Sequence, residues 1–141
     1  MLTESVENYL TAILRLEDQG EAATTSLLAD RLEVARPSVS GMLKRLAAED
    51  LVTHERYRGA RLTDQGRSAA LQVIRRHRLV ETFLVNILGM PEDRVHAEAH
   101  RLEHALSDEV VDRLDLWLGR PAHDPHGQPI PGPRPDQVVT E

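Results

Sequence analysis

The chain has no cysteine. That absence excludes a disulfide framework and any thiolate metal site, and it fits an expected cytoplasmic setting. Aromatic residues are only 3% of the 141 positions, too few for the stacking platforms that hold single-stranded nucleic acid. No apolar run approaches the ~20 residues that cross a bilayer, so no membrane partner is expected. The opening Met1-Leu2-Thr3-Glu4-Ser5 lacks the basic and apolar regions of a signal peptide. What remains is ordinary for a globular protein, 28% charged and 40% hydrophobic, with a length suited to one compact domain or two small ones sharing a core.

The net charge of −6 argues at first against a nucleic-acid partner, but its distribution matters more than its sum. Residues 1–24 carry one Arg against five acids, whereas residues 25–67 carry eight Lys or Arg against six acids. Arg56, Arg58 and Arg61 fall within six positions that contain no acid. Residues 89–118 reverse the balance, with three Arg against eight acids. Positive charge is therefore local, and the acidic remainder can shelter divalent cations.

Apolar spacing predicts an amphipathic helix over 4–17, with Val6, Leu10, Ile13, Leu14 and Leu16 on one face and Gly20 as its stop. Thr24, Thr25 and Ser26 offer caps for a second helix through Leu32. Pro37 suits the first turn of a third, which runs to about Ala48 with Val39, Met42, Leu43 and Leu46 inward. Leu51 to His54 reads as a strand, Arg58-Gly59 as a turn and Ala60 to Thr63 as the return strand. Thr63 or Asp64 can cap a long helix to about Leu88, followed by helices from Pro91 or Glu92 to Leu106 and from Ser107 to about Leu118. Residues 119–141 hold six of the eight prolines and no helical period. They read as an extended tail or linker, and His123 and His126 within it as solvated.

Three helices and a hairpin in this order form a winged helix-turn-helix, with the third helix in the major groove and the hairpin along the backbone or minor groove. Ser38, Ser40, Gly41, Lys44 and Arg45 face outward on that helix. Small residues allow close approach to base edges, and hydroxyls reach phosphates or bases. Lys44, Arg45, Arg58 and Arg61 neutralise phosphates. Thr25, Ser26, Arg36 and Pro37, at the starts of the second and third helices, complete the candidate DNA surface. The plainer alternative is a small domain with a solvated basic face.

Histidines fall in a pattern on the later helices. His77 and Glu81 are spaced i, i+4, as are His96 and His100, while His100, Glu103 and His104 form H-x-x-E-H. Those spacings put side chains on one helix face, and imidazole with carboxylate suits Mn, Fe, Co, Ni or Zn. One helix rarely completes a coordination sphere, so a partner helix must add donors. H-x-x-E-H also matches an inverted zinc-peptidase motif. Such enzymes need a much larger fold around a cleft and leave the winged helix unexplained, so no enzyme activity and no small organic substrate are expected.

Several segments together resemble the DtxR/MntR family of metal-dependent repressors over nearly the whole chain. They are Tyr9-Leu10, Pro37-Ser38-Val39-Ser40, Arg58-Gly59, Arg76-His77-Arg78-Leu79, Val95 through His104, Ser107-Asp108-Glu109-Val110 and Pro129-Ile130-Pro131-Gly132. The resemblance implies a mainly α protein: a winged helix-turn-helix over 1–64, a helical dimerisation and metal-binding domain over 65–118, and a Pro-rich tail over 119–141. It further implies a homodimeric repressor of manganese or iron homeostasis genes, bound to a palindromic operator in double-stranded DNA. Two metal positions are implied, one matching His77, Glu81 and His96, the other Asn8, His100, Glu103 and His104. Iron-type members carry Met at position 8 and manganese-type members Asp. At position 100 the two types carry Cys and Glu, and the manganese type has an acid where Thr11 stands here. This hybrid set favours Mn(II), then Fe(II), while Zn(II), Co(II), Ni(II) or Cd(II) can substitute in vitro. Longer relatives carry an SH3-like domain after the Pro-rich segment that can donate ligands to the first position. Ending at Glu141, the chain is expected to leave that position open to water. A metal-independent regulator sensing an organic ligand is the competing reading.

Overall fold

The computed structural model describes residues 2–55 and 58–133. Arg56 and the tail from 134 onward lie outside the described residues. The chain divides into two compact units, 1–70 and 71–141.

In the first unit α1 spans Glu4–Asp18, α2 Thr25–Leu32 and α3 Arg36–Ala48. Thr3 caps α1 by accepting from the Val6 N–H at 3.2 Å, satisfying a donor that the first turn cannot. Gly20, at φ +74°, closes the other end: its own N–H reaches Glu17 O, and the next N–H reaches Leu16 O. That is a Schellman stop, which favours glycine because only glycine enters the left-handed region at no steric cost. Thr24 caps α2 through the Leu27 N–H. Glu33, at φ 56°, turns the chain out of α2, and Pro37 sits in the first turn of α3. Val6, Leu10, Ile13, Leu14, Leu28, Val39, Leu43 and Leu46 are buried, while Met42, Leu27 and Leu32 are half-buried.

Strand β1, Val52–Glu55, pairs antiparallel with β2, Gly59–Leu62, in a register that sets Val52 against Leu62 and Glu55 against Gly59. The strand period alone does not reveal a third participant. Ala23, just before α2, bridges Ala60 on the far side of β2, with Ala60 N–H donating to Ala23 O at 2.9 Å. One paired residue leaves no periodic trace in a sequence. Its imprint is Gly59 instead: φ is +82°, and a Cβ there would stand 2.6 Å from Ala23 O.

Helix α4, Asp64–Asn86, is capped by Thr63, whose hydroxyl accepts from the Gly66 N–H. The same hydroxyl donates to Asp50 O at 2.6 Å. In the second unit α5 is Glu92–Glu103 and α6 is Asp108–Trp117, with Ser107 capping α6. Helix α5 ends three residues before the Leu106 expected from periodicity. A tighter turn, Ala105 N–H to Leu102 O, closes it so that Ser107 can begin the next helix. His104, its C-cap, keeps a helical φ of −79°. Val80, Leu84, Val95 and Ala99 form the core, with Phe83, Met90, Leu106 and Leu114 packed on it. Arg75, 2% exposed, ties α4 to α6 through Asp112 at 2.7 Å and Asp115 at 3.1 Å.

The segment after α6 is not an extended tail as far as residue 133. It folds back on itself: Ile130 N–H reaches Ala122 O and Asp124 N–H reaches Gln128 O. The Asp124 carboxylate accepts from the His126 and Gln128 N–H groups, both at 2.9 Å. Gln72 donates to Gly132 O and Arg78 to Pro129 O, which fastens the turn along α4. Among the described residues no helix is long and apolar enough to cross a membrane.

Two glycines separate steric need from helix propensity. A Cβ at Gly66 would fall 1.9 Å from Leu51 O, a backbone atom, whereas nothing lies within 4 Å of one at Gly41. Gly66→Ala should destabilise the protein by about 2 kcal/mol or more, and Gly41→Ala should be neutral or stabilising by up to about 1 kcal/mol. Urea unfolding of both variants measures this, and a Gly66→Ala protein as stable as the parent would refute the packing account.

Candidate metal centre and nucleic-acid interface

The outer face of α3 carries Arg36, Pro37, Ser38, Gly41, Lys44 and Arg45, all exposed, with Ser40 half-buried beside them. Thr25 and Ser26 are half-buried at the start of α2. Arg58 and Arg61 are exposed on the hairpin. Arg45 pairs with Glu49 at 3.5 Å and Arg58 with Glu55 at 3.7 Å. Exposed pairs of this kind contribute about 0–1 kcal/mol and are easily exchanged for phosphate.

The second unit gathers imidazoles around two buried carboxylates. Glu81, 3% exposed, projects from α4. Its Oε1 lies 2.7 Å from His77 Nε2, one turn back on the same helix, and 3.2 Å from His96 Nδ1 on α5. The His77, Glu81 and His96 ligand atoms all lie within 4.8 Å of one another. Glu81 Oε2 faces a third imidazole, His126 Nδ1, at 3.3 Å. Asp124 joins them, and Glu81, Asp124 and His126 form a second triplet within the same 4.8 Å limit.

The sequence leads one to expect His126 in solvent and the Glu81 position open to water. The turn at 122–130 instead brings His126 and Asp124 to it. The available signal was Asp124-Pro125-His126-Gly127, an aspartate-led turn ending on a glycine at φ +83°. Asp124 is 6% exposed, and while its Oδ1 holds the turn together, its Oδ2 is buried with no hydrogen-bond partner. A buried carboxylate oxygen without a partner costs about 1–3 kcal/mol or more, and a cation at this triplet would satisfy it. The donors offer nitrogen and oxygen without sulfur, a set suited to Mn, Fe, Co, Ni or Zn. On both counts the residues fit a divalent ion.

Glu103, 4% exposed at the end of α5, organises the other cluster. Its Oε1 lies 2.8 Å from His100 Nδ1 and 3.5 Å from His104 Nε2. The His100 and His104 rings meet edge-on with centroids 5.2 Å apart. Glu103 Oε2 lies 3.1 Å from His77 Nδ1. Asn8 is half-buried on α1 in the first unit. Thr11, one turn on, spends its hydroxyl on α1 itself, donating to Glu7 O and Asn8 O.

The profile for the N-terminal DNA-binding domain of iron-dependent repressors matches residues 1–60, and that for their metal-binding and dimerisation domain matches residues 63–132. The chain belongs to the iron-dependent repressor family. It is 40% identical over 131 residues to the iron-dependent repressor IdeR of Mycobacterium leprae, covering 93% of this chain and 57% of that protein. Identity is also 40% to the diphtheria toxin repressor of Corynebacterium diphtheriae, with 93% and 58% covered. Among solved structures, a manganese-dependent transcriptional repressor in complex with manganese matches at 46% identity and TM-score 0.81, covering 90% of this chain and 59% of that one. A hypothetical protein from Sulfolobus solfataricus matches over its whole length at 30% identity and TM-score 0.79, covering 93% of this chain. The chain thus spans somewhat over half the length of the named repressors.

Electrostatics within the second cluster favour opposite charges. Burial pulls the His77 pKa down, but its hydrogen bonds and charge interactions with Glu103 and Glu81 outweigh that and raise it above the usual histidine value. Burial pushes Glu103 up, yet the hydrogen bond and charge of His77, with the charges of His104 and His100, bring it below the usual carboxylate value. A raised histidine pKa stabilises the fold below the unfolded value of about 6.5 and loses that effect as pH rises through the folded value. A lowered glutamate pKa stabilises above about 4.3 and loses the effect as pH falls through the folded value. In chelator, His77→Gln should therefore be most damaging between about pH 4.5 and 6.5, with the deficit shrinking toward alkaline pH. Denaturation across this range checks the sign, and a deficit that grows with pH would contradict it.

Proposed function

We propose that this protein is a metal-activated, DNA-binding transcriptional repressor that works as a homodimer, with Mn(II) its favoured activator and Fe(II) the next. The observation that carries the reading is the Glu81 cluster, where three imidazoles surround one buried carboxylate and the adjacent Asp124 keeps a buried oxygen without a partner. His77, Glu81 and His96 would hold one ion together with Asp124 and His126. His100, Glu103 and His104 would hold another, to which Asn8 is assigned by family resemblance alone. A bound ion would supply positive charge beside the two buried carboxylates.

The protein's own groups supply the rest. Lys44, Arg45, Arg58 and Arg61 contact phosphates, and the Ser38 to Gly41 stretch lets α3 approach base edges. Ile87, Leu88, Leu102, Val110 and Trp117 are large apolar side chains left exposed in the second unit, which suits burial against a second copy. A dimer on a palindromic operator needs its recognition helices one helical turn apart, roughly 34 Å. Metal acts as corepressor by binding the arrangement that meets this spacing more tightly than the others. Glu103 is better suited to holding an ion than to peptide hydrolysis, since it is 4% exposed and enclosed by imidazoles.

Anisotropy with palindromic DNA selected from a random pool tests the reading, at fixed salt in Mn(II), Fe(II), Zn(II) or chelator. Binding is expected only with metal, and His104→Ala should weaken it tenfold or more while the helical circular dichroism persists. Equal affinity in chelator would leave a winged helix without a metal switch.

A further inference from the structure

The two donor clusters of the second unit share a residue. His77 Nε2 faces Glu81 Oε1 at 2.7 Å while its Nδ1 faces Glu103 Oε2 at 3.1 Å. Beyond Glu81 stand His96 and His126, and beyond Glu103 stand His100 and His104. One imidazole therefore joins both carboxylates, and its side chain is only 13% exposed.

A neutral imidazole has one N–H and one lone pair. If an ion beside Glu81 takes the Nε2 lone pair, the hydrogen must sit on Nδ1, where Glu103 Oε2 is the acceptor. Histidines that bind metal regularly donate their second N–H to a carboxylate, which fixes ring and tautomer. Here that carboxylate is itself the centre of another donor cluster. Holding Glu103 by Oε2 leaves Oε1 toward His100, at 2.8 Å, and His104, at 3.5 Å.

We propose that His77 couples the two positions, so that a divalent ion in the Glu81 cluster raises the affinity of the Glu103 cluster for a second. The inference rests on the metal reading above. His77, Glu81 and His96, and Glu81, Asp124 and His126, are two triplets that share Glu81 and serve the first position, whereas His100, Glu103 and His104, with Asn8 by family resemblance, serve the second. The opposite use, with Nδ1 bound to an ion beside Glu103, would make the positions compete for one imidazole and reverse the sign.

Co(II) titration of the whole chain, read by its visible absorption bands and by calorimetry, tests this. The band lost in His100→Ala reports the Glu103 position. His96 and His126 side chains are 74% and 41% exposed, so His96→Ala with His126→Ala spares the core and weakens the first position. The double variant should then bind Co(II) at the Glu103 position about 5- to 150-fold more weakly, the usual range of coupling between sites. In a His77→Gln background, and equally in His77→Asn, the same two changes should have no further effect there, which closes a mutant cycle on His77. An unchanged or tighter Glu103 position in the double variant overturns the coupling, as does a loss that persists without His77. A parent chain that binds no Co(II) overturns the metal reading itself.

Discussion

Two buried carboxylates paired with imidazoles set the character of the second unit. Glu81 and Glu103 are paired with His77, His96, His100, His104 and His126. The same unit contains the contrasting solution: Arg75 holds Asp112 and Asp115 between α4 and α6 at similar burial. A guanidinium keeps its charge at every accessible pH, so that pairing is independent of pH on the cation's side and serves the fold. An imidazole keeps its extra proton only conditionally and can give up a lone pair instead. Burying carboxylates against histidine therefore makes local stability depend on protons or cations.

What the sequence disclosed follows from which interactions are periodic. Six helices, the caps at Thr24, Thr63 and Ser107, and the hairpin were readable, because each is written in near neighbours along the chain. The grouping of His77 with Glu81 and of His100 with Glu103 was readable for the same reason, as each pair lies within a helical turn. The bond from His77 to Glu103 spans two helices, and spacing within either one does not predict it. Ala23 was invisible as a strand because only one of its residues pairs, and its presence is encoded in the absence of a Cβ at Gly59.

The turn at 122–130 shows how a segment without a period can still be specified. Proline and glycine suppress helix and strand, which makes the stretch look like a linker. Its order comes from the Asp124 carboxylate, which accepts two backbone N–H groups and leaves one oxygen over. A single side chain thus shapes the loop and leaves a buried carboxylate oxygen without a partner. Aspartate achieves this because its short side chain reaches backbone two to four residues ahead, whereas the same carboxylate on a longer stem would lose more rotamer freedom in doing so.

In the proposed function, charge accounts for how an ion would help the chain approach DNA, but not for which ion. Filling both proposed positions with divalent cations moves the formal net charge from −6 to −2, since two ions add four positive charges. That reduces repulsion from phosphates for any divalent metal alike. Discrimination must come from what charge does not measure: the geometry each ion imposes on the donors, and the displacement of donors needed to satisfy it. Here the donors come from α4, from α5 and from the 122–130 turn, each fixed by its own caps and hydrogen bonds. An ion whose preferred geometry they cannot meet together would bind through a subset and leave the rest of the network unset. Intrinsic affinity rises toward the later metals, so the proposed preference for Mn(II) or Fe(II) would have to reside in the difference between binding an ion and completing the network around it.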